Sequence, residues 1–217
     1  MQNAAPHTWG VLCLHVVFCI LNYGVLSAQQ LLDRVLARIG NDAITQTDVR
    51  ALVEFGLIDA KSPAEPAAVQ QAIDRYLILR EVARFPPAEP PADAVAMQLA
   101  AMKARVGDRL EQVMRETGLN EDRLAGLARD TLRIRDYLQQ RFGLSAPVGE
   151  DEARRYFEEH RAEFTRDGTP LTFEEAEAEA RRRAAESRVQ GAIAQWLQDL
   201  RGRSDVTIVM SAPAGPK

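Results

Sequence analysis

Val35, Ala37 and Ile39 fall on one face of a strand, and after Gly40-Asn41-Asp42 the chain returns through Ala43 and Ile44, which predicts two short strands and a tight turn. A hairpin this small does not bury enough to stand alone, so it requires a further strand. From Thr45 the apolar period changes to that of a helix. Thr45 or Thr47 is placed to cap a segment carrying Val49, Leu52, Val53 and Phe55 that ends near Gly56. Ser62-Pro63-Ala64-Glu65 then reads as an N-cap, a proline at the first helical position and a capping-box glutamate. Val69, Ile73, Tyr76, Leu77 and Val82 continue that helix up to Phe85.

Pro86-Pro87-Ala88-Glu89-Pro90-Pro91 breaks the helical pattern and predicts a stiff connector, because each proline lacks a donor and restricts the residue before it. Beyond it Val95, Leu99, Met102 and Val106 mark one helical face ended by Gly107. Leu110, Val113 and Met114 mark another, ended by Gly118. Asn120 is placed to cap a longer helix running through Leu124, Leu127, Ile134, Leu138 and Phe142.

After Ser145-Ala146-Pro147 a charged segment, GEDEARRYFEEHRAEF, predicts a helix whose Tyr156, Phe157 and Phe164 need a docking surface. TRDGTP then forms a turn-rich joint. Thr172 with Glu175 predicts a capping box opening a helix from Phe173 to Arg201, about 40 Å long. Its second half, with Val189, Ile193, Trp196, Leu197 and Leu200, is expected to pack, and its first half, mainly Glu, Ala and Arg, to be exposed. Val206 to Val209 is the strand that the opening hairpin lacks. The expected fold class is therefore mainly α, with a small β-sheet joining the N-terminal hairpin and the C-terminal strand.

Length and composition narrow the function. The 217 residues, 46% of them hydrophobic, suffice for a globular core. The 27 Lys and Arg against 31 Asp and Glu, a net charge of −4, supply no overall field for nucleic acid or anionic lipid. The first 28 residues contain no Asp, Glu, Lys or Arg, and an apolar run from Val11 to Leu21 leads to the small-residue exit Leu26-Ser27-Ala28. That order predicts a secretory signal peptide, residues 1–28, and hence a periplasmic mature chain. The alternative is a retained anchor, although the run is shorter than the roughly 20 residues that cross a bilayer. Both cysteines, Cys13 and Cys19, fall inside this segment, so the mature chain carries neither a disulfide framework nor a thiol nucleophile.

Of the three histidines only His160 lies past Ala28, and between Glu159 and Arg161 it reads as a solvated surface residue rather than a catalyst. No G-x-S-x-G motif accompanies any serine. Glu174, Glu175, Glu177 and Glu179 followed by Arg181, Arg182 and Arg183 read as helix-dipole and i,i+4 pairing rather than a cation site. No catalytic residue, metal site or cofactor is expected.

DRVLARIGNDAITQTDV, GLNEDRLAGLARDTLRIRDYL, VGEDEARRYFEEHRAEF and QWLQDLRGRSDVTIV, taken in that order, resemble the N-terminal chaperone module of SurA-type periplasmic proteins. The resemblance implies one domain over residues 29–217, with an N-terminal part (29–144), a returning part (145–210) and a short tail (211–217). Members of that family commonly carry a parvulin prolyl isomerase domain after the segment matching YFEEHRAEF. Here TRDGTP stands in its place, with no His-rich strand pair and no Gly-Gly loop, so the resemblance does not imply isomerase activity.

The function expected from the resemblance is that of an ATP-independent chaperone for unfolded outer-membrane or secreted polypeptides. Leu57, Ile58, Met97 and Met102 are candidate client contacts, the methionines for their adaptable thioethers. Neither nucleic acid nor stable membrane insertion of the mature chain is expected. The alternatives are a residual peptidyl-prolyl isomerase and an assembly subunit holding one folded envelope partner. N-terminal sequencing of the exported protein should return Gln29 as its first residue, whereas Met1 would replace cleavage with the anchor.

Overall fold

The computed structural model describes residues 33–143 and 147–209. The signal-peptide reading of residues 1–28 and the tail 211–217 lie outside the described residues.

The hairpin forms as β1 (Val35–Ile39) and β2 (Asp42–Thr45), paired antiparallel with Ile39 opposite Asp42. Leu36 and Ala37 are adjacent in sequence yet both buried in the same cluster, and the β1–β2 register shifts between Val35 and Ala37, as at a bulge. Thr45 caps α1 (Gln46–Glu54), its side chain accepting from the backbone N–H of Asp48, whose carboxylate returns to the Thr45 N–H. The chain leaves α1 through Gly56 at φ 67°, where a Cβ would collide with the Arg105 side chain. Glycine alone combines that backbone with that clearance.

Helix α2 (Pro66–Arg84) starts one turn later than the Ser62 capping box predicts. Ser62 Oγ accepts from the Ala64 N–H and the Ser62 carbonyl from the Glu65 N–H, so Ser62 to Glu65 close a turn of their own. Pro66, not Pro63, takes the first helical position, where its missing N–H costs nothing. The proline connector passes to α3 (Ala92–Val106), α4 (Leu110–Thr117) and α5 (Glu121–Phe142), the last capped by Asn120 accepting from the Arg123 N–H. Two buried clusters result. One gathers the sheet, α1, α2 and the ends of α5 and the final helix around Ile39, Val49, Ile73 and Trp196. The other packs α3, α4 and α5 around Phe55, Met102, Val113 and Leu124.

The charged segment is α6 (Glu150–Glu159), and TRDGTP is a β-hairpin, β3 (Thr165–Arg166) and β4 (Thr169–Pro170). Asp167 and Gly168, at φ 51° and 78°, make its left-handed turn. The final helix α7 (Phe173–Gly202) opens with the Thr172–Glu175 capping box. Its first half is not an exposed rod. Phe173, Ala176, Ala180 and Ala184 recur at near-helical spacing and are buried against Ala153, Phe157 and Phe164, forming a third core. Alanines let α6 approach closely, while the Phe157 ring lies 5.0 Å from Phe164 and 5.7 Å from Phe173. On the outer side the Arg182 and Arg183 guanidiniums hold the Glu179 carboxyl down at about 2 by hydrogen bonding.

Past α7 the chain rejoins its beginning. β5 (Val206–Ile208) runs antiparallel to β1, pairing Ile39 with Val206 and Ala37 with Ile208, in a sheet of order β2-β1-β5. The Gly40 N–H donates to the Asp205 carbonyl, and the Val209 N–H to the Leu36 carbonyl, both at 2.8 Å. Arg201 clamps Asp74 of α2 through Nε and Nη2 at 2.6 and 2.9 Å. Truncation before Asp205 removes this ladder and uncovers Ala37 and Ile39. A loss of about 3 to 5 kcal/mol, at about 2 to 4 °C per kcal/mol for a chain of this size, should lower Tm by roughly 10 °C in a thermal melt.

Candidate functional site

Two helices turn matched stripes toward one another beside the sheet, and a third closes one end. Ala72, Arg75, Tyr76 and Leu79 of α2 lie at i, i+3, i+4 and i+7, as do Arg123, Gly126, Leu127 and Asp130 of α5. Thr47, Asp48, Ala51 and Leu52 of α1 close one end, with Ala43 and Ile44 of β2 beside them. Between these walls runs a groove of about 450 Å³, within the range of sites that take small molecules or a few residues of peptide. Gly126 opens the α5 wall, since a Cβ there would meet nothing within 4 Å.

The floor is apolar and most of the polar rim is already engaged. Asp48 is bound by Thr45 in the α1 cap, and Thr117 Oγ1 donates to the Val113 carbonyl at 2.7 Å. The Tyr76 hydroxyl donates to the Asp42 carboxylate, fastening α2 to the sheet. Burial raises the Tyr76 phenol above its ordinary value, and the Asp42 bond adds to the rise by favouring the protonated form. Arg75 lies at the base, buried, with Nη2 donating to Thr131 Oγ1 at 3.0 Å and to the Leu127 carbonyl at 3.4 Å. Burial lowers its pKa, and the Asp130 charge opposes that shift.

The four residues expected to meet clients are scattered. Met102 is 2% exposed inside the α3–α5 core and offers no surface, a correction that follows from its place on the inward stripe with Val95 and Val106. Leu57 and Ile58 are half-buried against the cores, and Met97, 74% exposed, stands on the outer side of α3. None of the four lines the groove. The groove was nevertheless signalled: an arginine inside the apolar α2 stripe, one turn from Leu79, is an anomaly in a core-facing pattern.

His160 also departs from expectation, being half-buried and stacked on Tyr156 at a centroid distance of 4.1 Å, with Nδ1 2.9 Å from the Tyr156 carbonyl. That hydrogen bond and stack make it part of the α6 end rather than a solvated side chain. Among the described residues no three His, Cys, Asp or Glu side chains are grouped to hold a metal ion. Likewise no described helix is long and apolar enough to cross a membrane. No protein-family model and no curated protein matches this chain.

The Tyr76 environment is testable. In a spectrophotometric titration one tyrosine should ionise above pH 10, and Tyr76→Phe should remove that step. Because the folded pKa is raised, this contribution to stability is full below the unfolded value of about 10 and is lost as pH rises through the folded one.

Proposed function

We propose that this protein is an ATP-independent periplasmic chaperone that holds unfolded outer-membrane or secreted polypeptides, without prolyl isomerase activity. The observation that carries the proposal is the groove between α1, α2 and α5. It is open, floored by Ile44, Leu52, Leu79 and Leu127, and rimmed by polar groups. An extended chain in such a groove buries apolar side chains on the floor while its amides stay close to polar partners and water, and this is how one site serves many sequences. The resemblance to SurA-type modules supports the same reading, as does the α7–β5 return that completes the module. In that family the α6–α7 joint is where a parvulin domain would stand, and here β3 and β4 span it in a few residues.

The mature protein should slow aggregation of an unfolded outer-membrane barrel protein diluted from urea, with no ATP present. Xaa-Pro isomerisation in a peptide assay should stay at the uncatalysed rate, of the order of tens of seconds or slower. Gly126→Phe fills the groove where the backbone has space, and it should reduce the protection several-fold with Tm changed by only about 2 to 4 °C. Full protection by a folded Gly126→Phe variant would move clients away from this groove.

A further inference from the structure

Two charged side chains are buried among the described residues, Arg75 and Glu81, each 9% exposed. Their surroundings differ. Glu81 has Arg84 at 3.2 Å and Arg203 at 3.9 Å. Asp74, the neighbour of Arg75 in sequence, has the Arg201 fork. Among the described residues Arg75 has no carboxylate within 4.0 Å, and both of its hydrogen bonds use Nη2 on neutral oxygens. Asp130 acts on it only through its field and is itself 3.8 Å from Arg133. Nε and Nη1 of Arg75 make no hydrogen bond among the described residues, and the side chain lines the groove. A largely buried guanidinium with no counter-ion in contact is unfavourable, and an incoming anion offsets that cost.

We propose that Arg75 receives the C-terminal carboxylate of a polypeptide bound in the groove, so that the site prefers chain ends carrying apolar terminal side chains. This rests on the groove being the chain-binding site. The planar fork of a guanidinium matches a carboxylate with two parallel bonds and neutralises the buried charge, whereas an internal peptide carbonyl is one neutral acceptor. Leu79 and Leu127 flank Arg75 and receive the terminal side chains. Arg123 donates Nη1 to the Gly118 carbonyl and keeps further N–H groups for peptide carbonyls, for which a hydrocarbon tail has no use.

The test uses the full mature chain and a fluorescein-labelled hexapeptide, Ala-Gly-Val-Thr-Leu-Phe, as the free acid and as the C-terminal amide, read by fluorescence anisotropy. The acid should bind about tenfold tighter or more, the scale of one charge-assisted bidentate contact. Arg75→Gln should abolish the difference between the two forms, and Arg75→Lys should keep part of it, each variant first checked by circular dichroism. If Arg75→Gln fails to fold, the acid-to-amide ratio on the unaltered protein decides alone. Equal affinity for acid and amide overturns the carboxylate role and leaves the groove as a chain-binding site. Binding of neither form overturns both. Displacement of the acid peptide by decanoate as readily as by unlabelled peptide overturns the proposal in favour of a fatty-acid site.

Discussion

The antiparallel pairing of β1 with β5 is the constraint from which the rest of the fold follows. β1 is the central strand of its sheet, so one edge is completed by the adjacent hairpin and the other by residues more than 160 positions away. That closure fixes where α7 must end, and its last turn therefore lies on α2, where Arg201 meets Asp74. With α2 held by the sheet at Tyr76–Asp42 and by α7 at Asp74, its Arg75 and Leu79 stripe is aimed at α5 rather than free to roll. The groove walls thus inherit their spacing from a ladder that none of their own side chains makes. Long-range closure of this kind carries a loop entropy that grows slowly with length, so its cost is modest beside the apolar surface it covers.

α7 links two separately packed regions. Its first half belongs to the core with α6 and the β3–β4 hairpin, its last turns to the core with the sheet and α2. Between them Glu186 to Gln195 contain no buried residue, and Gly191 is exposed. Arg188, Val189 and Ile193 in that stretch are half-buried, and the Arg182–Glu186 pair at its start and the Gln195–Asp199 bond at its end support it locally at i,i+4 spacing. Individually exposed pairs contribute little, so the length of α7 depends mainly on being anchored at both ends.

The features legible in the sequence were those written in local chemistry. The Thr45, Asn120 and Thr172 caps, the Gly56, Gly107 and Gly118 exits and the proline connector all mark real boundaries, because each rests on a backbone group satisfied within a few residues. The β1–β5 pairing was legible for a different reason, since an unpartnered hairpin demands a strand from somewhere. Three things were not legible. Ser62 and Glu65 have the spacing of a capping box but close a turn, because Pro66 competes for the same helix start. Ala176, Ala180 and Ala184 form a packing face that carries little hydrophobicity per residue, so the first half of α7 read as solvated. Met102 read as adaptable surface, although its stripe with Val95 and Val106 is the inner one.

The site was the least legible part because a groove is a property of two stripes facing each other, and periodicity reports each stripe alone. Arg75 shows why. At position i+3 from Ala72 it falls on the face that α2 turns toward α5, where a core would take an aliphatic residue. A buried arginine used only for structure is normally surrounded, as Glu81 is, by groups of opposite charge. Arg75 instead bonds one hydroxyl and one carbonyl across the helix interface, which fixes the direction of its side chain, and among the described residues no carboxylate touches it, Asp130 acting only at a distance. Fixing the direction without neutralising the charge adds little to stability, but it pre-orients a guanidinium at the base of an apolar groove and lowers the entropy that a ligand must remove on binding. The same residue that weakens the α2–α5 interface as a core contact therefore gives that interface its capacity to recognise an anion.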